Sequence, residues 1–206
     1  LKTLFDGQLS DLIDMGNGLS MAAAEQLFSY VQHCSLFRWQ DRNNDCEDRA
    51  NALCMLLEKW QVPNCKGWVF GGMFLNRGIG GLTNNWNYHV AATIPVNIDG
   101  TMHFHVLDPA TTAHLQPLAV WADNVTDYPY SHYLVKQSRF YIFPSAPILR
   151  DNWHERDRQN FKWTMQGLAG INGVSRTGKA QLVFNKARIR KAEAAFKRLL
   201  NQPPVI

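Results

Sequence analysis

The clearest periodic stretch runs from Cys46 to about Trp60, where Ala50, Leu53, Cys54, Leu57 and Trp60 recur at helical spacing. Gln61-Val62-Pro63-Asn64 ends it, because a residue before proline is pushed out of the helical region. A second helix is predicted from Ser20, a suitable N-cap, to about Trp39. The polar run from Asp41 to Asp45 separates the two. Cys65 to Phe70 reads as a short strand, and a Gly- and Asn-rich loop follows from Gly71 to Asn85. Strand-like runs from Trp86 to Pro95 and from Thr101 to Leu107 flank Asn97-Ile98-Asp99-Gly100, and the Asp-Gly pair predicts a hairpin. A further strand is expected from Arg139 to Phe143, closed by Pro144 and Pro147, then a helix from about Asp151 to Leu168. Val174 to Gly178 reads as a linker. A basic amphipathic helix follows from Ala180 to Leu200, with Leu182, Ile189, Ala192, Phe196 and Leu199 on one side. The pattern predicts an α/β (α+β) chain with a helix packed on a mostly antiparallel sheet. It divides into an N-terminal helical segment (1–40), a central domain (41–173) and a basic C-terminal helix (174–206).

Composition narrows the class. The 206 residues suit one α/β domain with extra terminal elements, and 46% hydrophobic against 18% charged residues rules out a disordered chain. No apolar run approaches the roughly 20 residues that a membrane span needs. The net charge of +4 gathers after Arg176, and no base-stacking or groove-reading motif accompanies it, so no nucleic-acid partner is expected. The four cysteines lack C-x-x-C spacing, which argues against a zinc knuckle or a thioredoxin motif. The chain begins at Leu1 and shows no signal peptide, as a processed or trimmed chain would.

Candidate chemistry centres on Cys46, at the point where a loop becomes a helix. Free N–H groups and the helix dipole favour a thiolate there, and one N–H is placed to serve an oxyanion hole. The plainer alternative makes Cys46 the first member of the core stripe. Cys54, two turns further on, has no free N–H groups beside it and reads as core. A nucleophilic cysteine needs a base. With a two-residue turn at Asp99-Gly100, Ile98 faces Thr101 and Ala91 faces Asp108. His89 then shares a face with Asp108, at about the 7–8 Å diagonal Cα distance of neighbouring strands. His103 and His105 fall on the opposite face, and a longer loop or a bulge reverses this parity. In this arrangement His89 acts as base and Asp108 orients it. The alternatives are a packed strand histidine and a strand-ending Asp before Pro109.

Three segments resemble the bacterial protein glutaminases: Asn44 to Asn51 around Cys46, Trp86-Asn87-Tyr88-His89-Val90-Ala91, and Val106-Leu107-Asp108-Pro109-Ala110. They occur in the family's order, and weaker similarity extends the match to roughly residues 44–170. The resemblance implies a transglutaminase-like cysteine-hydrolase fold and hydrolysis of the side-chain amide of protein-bound glutamine. It carries the family's catalytic Cys, His and Asp to Cys46, His89 and Asp108. It also implies a protein substrate with exposed glutamine, an inhibitory pro-segment or inhibitor protein, no cofactor, and a secreted bacterial enzyme or delivered effector. Asn51 stands where the family has His, and the basic tail has no family counterpart.

Weaker signals remain. His103 and His105 share a strand face, but no third metal ligand is evident, so no metal site is expected. The glycines from 71 to 81 lack the Lys-Ser/Thr of a phosphate loop and read as a loop beside the active site. Trp86, Asn87 and Tyr88 are candidate substrate contacts. The rival readings are a cysteine protease or transglutaminase with the same triad, and a binding module with an idle one.

Overall fold

Strand β4 (His89–Ile98) and strand β5 (Thr101–Leu107) form the central hairpin, joined by Asp99 and Gly100. Both turn residues have positive φ, 51° and 83°, which is the geometry a two-residue turn requires. The register pairs Ile98 with Thr101 and Ala92 with Leu107, as the two-residue turn predicts. The computed structural model describes residues 2–3, 16–40, 46–70, 88–126, 131–138, 153–171 and 179–206.

Around the hairpin the sheet runs β1 (Lys2–Thr3), β7 (His132–Gln137), β3 (Cys65–Phe70), β4, β5 and β6 (Gln116–Pro117), and β2 (Leu19–Ser20) pairs with the far end of β4. The longer strands pair antiparallel, and only the two-residue β1 and β2 run parallel to their neighbours. β4 extends past Pro95, where the sequence pattern stops. Thr93 is its last partner on β3, so a proline beyond that point leaves no gap in the β3 ladder.

Helices cover both faces. Helices α1 (Met21–Gln32), α2 (Cys46–Lys59), α4 (Trp153–Leu168) and α5 (Lys179–Leu200) share one core with Ala92, Ile94, Val96 and Leu107 of the hairpin. That core draws Leu27 from α1, Leu53 from α2, Met165 from α4 and Phe196 from α5, so residues from all three sequence segments pack together. On the other face, α3 (Leu118–Val125) packs Trp121, Ala122 and Val125 against Ala91, Val106 and Val69.

One expectation shifts. Helix α1 stops at Gln32 and a 3-10 turn follows at Ser35–Phe37, because Leu36 and Phe37 are buried at positions off the Ala24-Leu27-Phe28-Val31 stripe. The indole of Trp39 then donates to the Val31 carbonyl at 3.0 Å, which folds the chain back. Strand β7 and helix α3 were not read from the pattern. The strand expected at 139–143 and the linker at 174–178 lie outside the described residues.

A buried lysine fixes α2 against the sheet. Lys66 is fully buried on β3 and donates to Asn51 Oδ1 at 3.1 Å, while Asn51 Nδ2 donates to Thr164 Oγ1 of α4 at 2.9 Å. Helix α4 comes close enough at Gly167 that any Cβ there would collide with the Asp48 carboxylate. These contacts set the height and rotation of the helix that begins at Cys46.

Candidate active site

Cys46 is the first residue of α2 and is 4% exposed. Its side chain packs with Ala50, Trp68 and Val90, with Phe70 and Tyr88 at the margin. The thiol donates to Glu47 Oε2 at 3.4 Å and meets the backbone N–H of Val90. Glu47 Oε1 in turn accepts from the Tyr88 hydroxyl. One carboxylate thus joins the cysteine to the aromatic residue just before His89.

The helix-start argument predicts a lowered thiol pKa, and the surroundings reverse it. Burial pushes the thiol well above its ordinary range, and the Glu47 carboxylate adds to the shift. The Val90 N–H and the Arg49 guanidinium act in the opposite direction but do not win. Cys46 therefore rests as a thiol.

His89 and Asp108 meet directly. His89 Nε2 lies 2.7 Å from Asp108 Oδ2, and both residues are buried. Two-residue turn geometry brings them to one face, opposite the face carrying His105 and Leu107. The imidazole packs on Trp121 of α3, with ring centroids 5.6 Å apart. Asp108 is held by the turn it opens: the Thr111 hydroxyl donates to Oδ2, and the Trp121 indole donates to Thr111 Oγ1 at 2.9 Å. Burial raises the carboxyl pKa. His89, Arg49 and the Thr111 hydroxyl together outweigh burial, so Asp108 ends below its ordinary range and stays ionised. An ionised Asp108 on Nε2 directs proton exchange with a thiol to Nδ1.

Cys46, Arg49, Val90, Ala91 and Asp108 line one cavity of about 10 Å³, with Trp39 beside it. That is room for about one water and not for a carboxamide, so the core side of the thiol is closed. Arg49 spans this space: it sits over the Trp39 ring at 5.8 Å and lowers the pKa of both Cys46 and Asp108.

The described contacts thus join His89 to Asp108 directly and bring Cys46 against Val90, the strand neighbour of His89. Tyr88 reaches the site through Glu47. Trp86 and Asn87 lie outside the described residues. His103 and His105 stand on the far face, where His105 is buried and His103 is exposed. Among the described residues, no group of three or more His, Cys, Asp or Glu is placed to hold a metal. Four contributors were not singled out from sequence: Glu47, Arg49, Thr111 and Trp121. For Thr111 a signal existed, since a threonine three residues after an Asp-Pro can close a turn on that Asp. All four cysteines are free thiols.

A family model described as glutaminase matches residues 24–125. No curated protein sequence matches. Among solved structures, protein-glutaminase aligns with a TM-score of 0.53 at 17% identity, over 73% of this chain and 90% of that one. Pro-protein-glutaminase aligns at 0.51 and 17%, over 74% of this chain and 62% of that one. A mutant of the pro-protein aligns at 0.50 and 17%, and 52% of its length is covered. The chain thus spans between half and two thirds of the pro-proteins it resembles.

Proposed function

We propose that this chain, which belongs to the protein-glutaminase family, is a protein-glutamine deamidase with Cys46 as nucleophile, His89 as acid–base and Asp108 as orienting group. The observation that carries the reading is the buried His89–Asp108 contact of 2.7 Å on the strand residue adjoining Val90, whose N–H meets the Cys46 sulfur.

In the first half-reaction His89 Nδ1 accepts the thiol proton as sulfur attacks the carboxamide carbon. The tetrahedral intermediate collapses as His89 returns that proton to nitrogen, the C–N bond breaks, and ammonia leaves a thioester. Water then gives a proton to His89 and adds to the thioester. The C–S bond breaks, the proton returns to sulfur, and glutamate remains. Asp108 stabilises the imidazolium in both halves. Burial favours the neutral thiol, so His89 takes the Cys46 proton as attack proceeds. Glu47 adds selectivity. Its carboxylate can accept from the amide NH₂ of glutamine and repels the glutamate product.

The pro-protein structures similar to this chain support a pro-segment as a partner; an inhibitor protein, and export or delivery from a bacterial cell, belong to the same reading. No described helix is long and apolar enough to cross a membrane.

The test is ammonia release from a glutamine-rich unfolded protein, with mass spectrometry of the product, using wild type and Cys46→Ala. Cys46-dependent ammonia with Gln-to-Glu conversion in an intact chain is expected. Chain cleavage would make the protein a protease. Incorporation of added amine in place of hydrolysis would make it a transglutaminase.

A further inference from the structure

A cavity of about 390 Å³ opens between the 3-10 turn, the end of α4 and the outer side of α5, away from Cys46. Four cations line it: Arg38, Arg188, Lys191 and Arg198. Its lining contains no carboxylate and no aromatic ring. We propose that this cavity binds a small anion carrying more than one phosphate group.

Convergence is the first reason. Arg188, Lys191 and Arg198 lie on one stripe of α5, and Arg38 reaches the same space from the opposite wall. The tips of Arg38 and Arg188 both come within 3 Å of the point where a Cβ on residue 170 would stand, at 2.4 and 2.8 Å, and the φ of 67° at Gly170 favours glycine there. Arg38 is held in this place by a left-handed backbone, φ 47° and ψ 51°, which non-glycine residues seldom adopt. Such strain persists where the surrounding structure enforces it, and functional sites are a common setting.

Arg38 and Arg188 bring two like charges together at the end of α4. The C-terminus of α4 supplies only about half a negative charge. Its end is already capped by backbone bonds, from Gly170 N to the Gly167 carbonyl at 2.7 Å and from Ile171 N to the Gln166 carbonyl at 3.0 Å. Arg188, Lys191 and Arg198 form no ion pair among the described residues. A multiply charged anion in the cavity can bridge Arg188, Lys191 and Arg198, and guanidinium forks match phosphate oxygens in two-point contacts. Ser35 on the rim offers a hydroxyl donor. Single-stranded nucleic acid is the poorer fit, because Arg38 faces the α5 cations across one cavity and the cavity lining itself holds no aromatic ring.

The test is calorimetric titration of the full chain with pyrophosphate at fixed ionic strength, independent of any enzymatic activity. The variant Arg188→Gln/Lys191→Gln removes two lining charges. The control Arg190→Gln/Lys197→Gln removes the same charge from exposed positions of the same helix. Saturable pyrophosphate binding is expected, weakened roughly tenfold or more by the first pair and roughly twofold or less by the second. Lys191→Gln alone, at an exposed position, serves if the double variant does not fold. Equal weakening by both pairs would reduce the site to diffuse charge and overturn the proposal. So would the absence of saturation, or tighter binding of single-stranded DNA than of pyrophosphate.

Discussion

Two buried polar clusters lie back to back across β4. On the α3 face, His89, Asp108, Thr111 and Trp121 form a connected set. On the α2 face, Lys66, Asn51 and Thr164 form another. Both are buried and hydrogen-bonded, and each holds one group with a shifted pKa, Asp108 in the first and Lys66 in the second. Burial and a perturbed pKa therefore do not separate a reactive site from a structural one. What separates them is what the titratable group can reach. Lys66 points into a helix–sheet seam and bonds an amide that is itself bonded onward to α4. His89 is held at one nitrogen by an ionised carboxylate, beside a strand residue whose N–H meets a cysteine at a helix start.

The comparison can be broken or sharpened by substitution, beginning with the largest effect. His89→Gln is expected to lower kcat by roughly 10² to 10⁴-fold, the usual worth of a positioned acid–base, with little change in melting temperature. Steady-state ammonia release and a thermal melt decide it, and unchanged turnover would remove His89 from the mechanism.

Lys66 is expected to act on stability and not on turnover. Burial lowers its pKa from 10.5 to about 8. Between those values the unfolded chain holds a proton that the folded chain has released, so the Lys66 contribution rises with pH, by about 3 kcal/mol in total. Below pH 8 it stays at its lowest value. Denaturant titrations of wild type and Lys66→Met from pH 7 to pH 11 should show this rise as the difference between the two curves. A Lys66→Met protein that folds but does not turn over would erase the contrast between the clusters.

Thr111→Val removes a hydroxyl bond to Asp108 and leaves the Trp121 indole without its acceptor. A loss of about 1 kcal/mol is expected, with a smaller fall in kcat than in His89→Gln. A loss of turnover matching His89→Gln would mean that Thr111 does more than steady the carboxylate.

The mildest change is Glu47→Gln. Glu47 raises the Cys46 pKa through its charge and its hydrogen bond. The neutral amide should therefore move thiol alkylation to lower pH, as a pH series with iodoacetamide would record. The variant should also become more sensitive to inhibition by the glutamate product. An unmoved alkylation profile would remove the role given to Glu47.

Local periodicity carried much of this architecture. The helical stripe from Ala50 to Trp60 announced α2, and Asp99-Gly100 fixed the β4–β5 register. Through that register it places His89 and Asp108 on one face. Side-chain alternation has a period of two, so a known turn length settles parity along the whole hairpin. The short edge strands and α3 were less legible, because two-residue strands and an eight-residue helix carry too few positions for a period to show.

The residues alone determined which side chains exist to do chemistry, where the helix that opens at Cys46 begins, and which histidine can face which aspartate. Tertiary structure decided the direction of the Cys46 pKa, since burial beneath Trp68 and Val90 and the charge of Glu47 outweigh the helix end. It also decided that Arg38 meets Arg188 over Gly170, residues that are far apart in the chain. The physical reason is the same in both cases. Local rules act over a few residues of backbone, whereas solvation and charge respond to whatever the fold brings within a few ångströms.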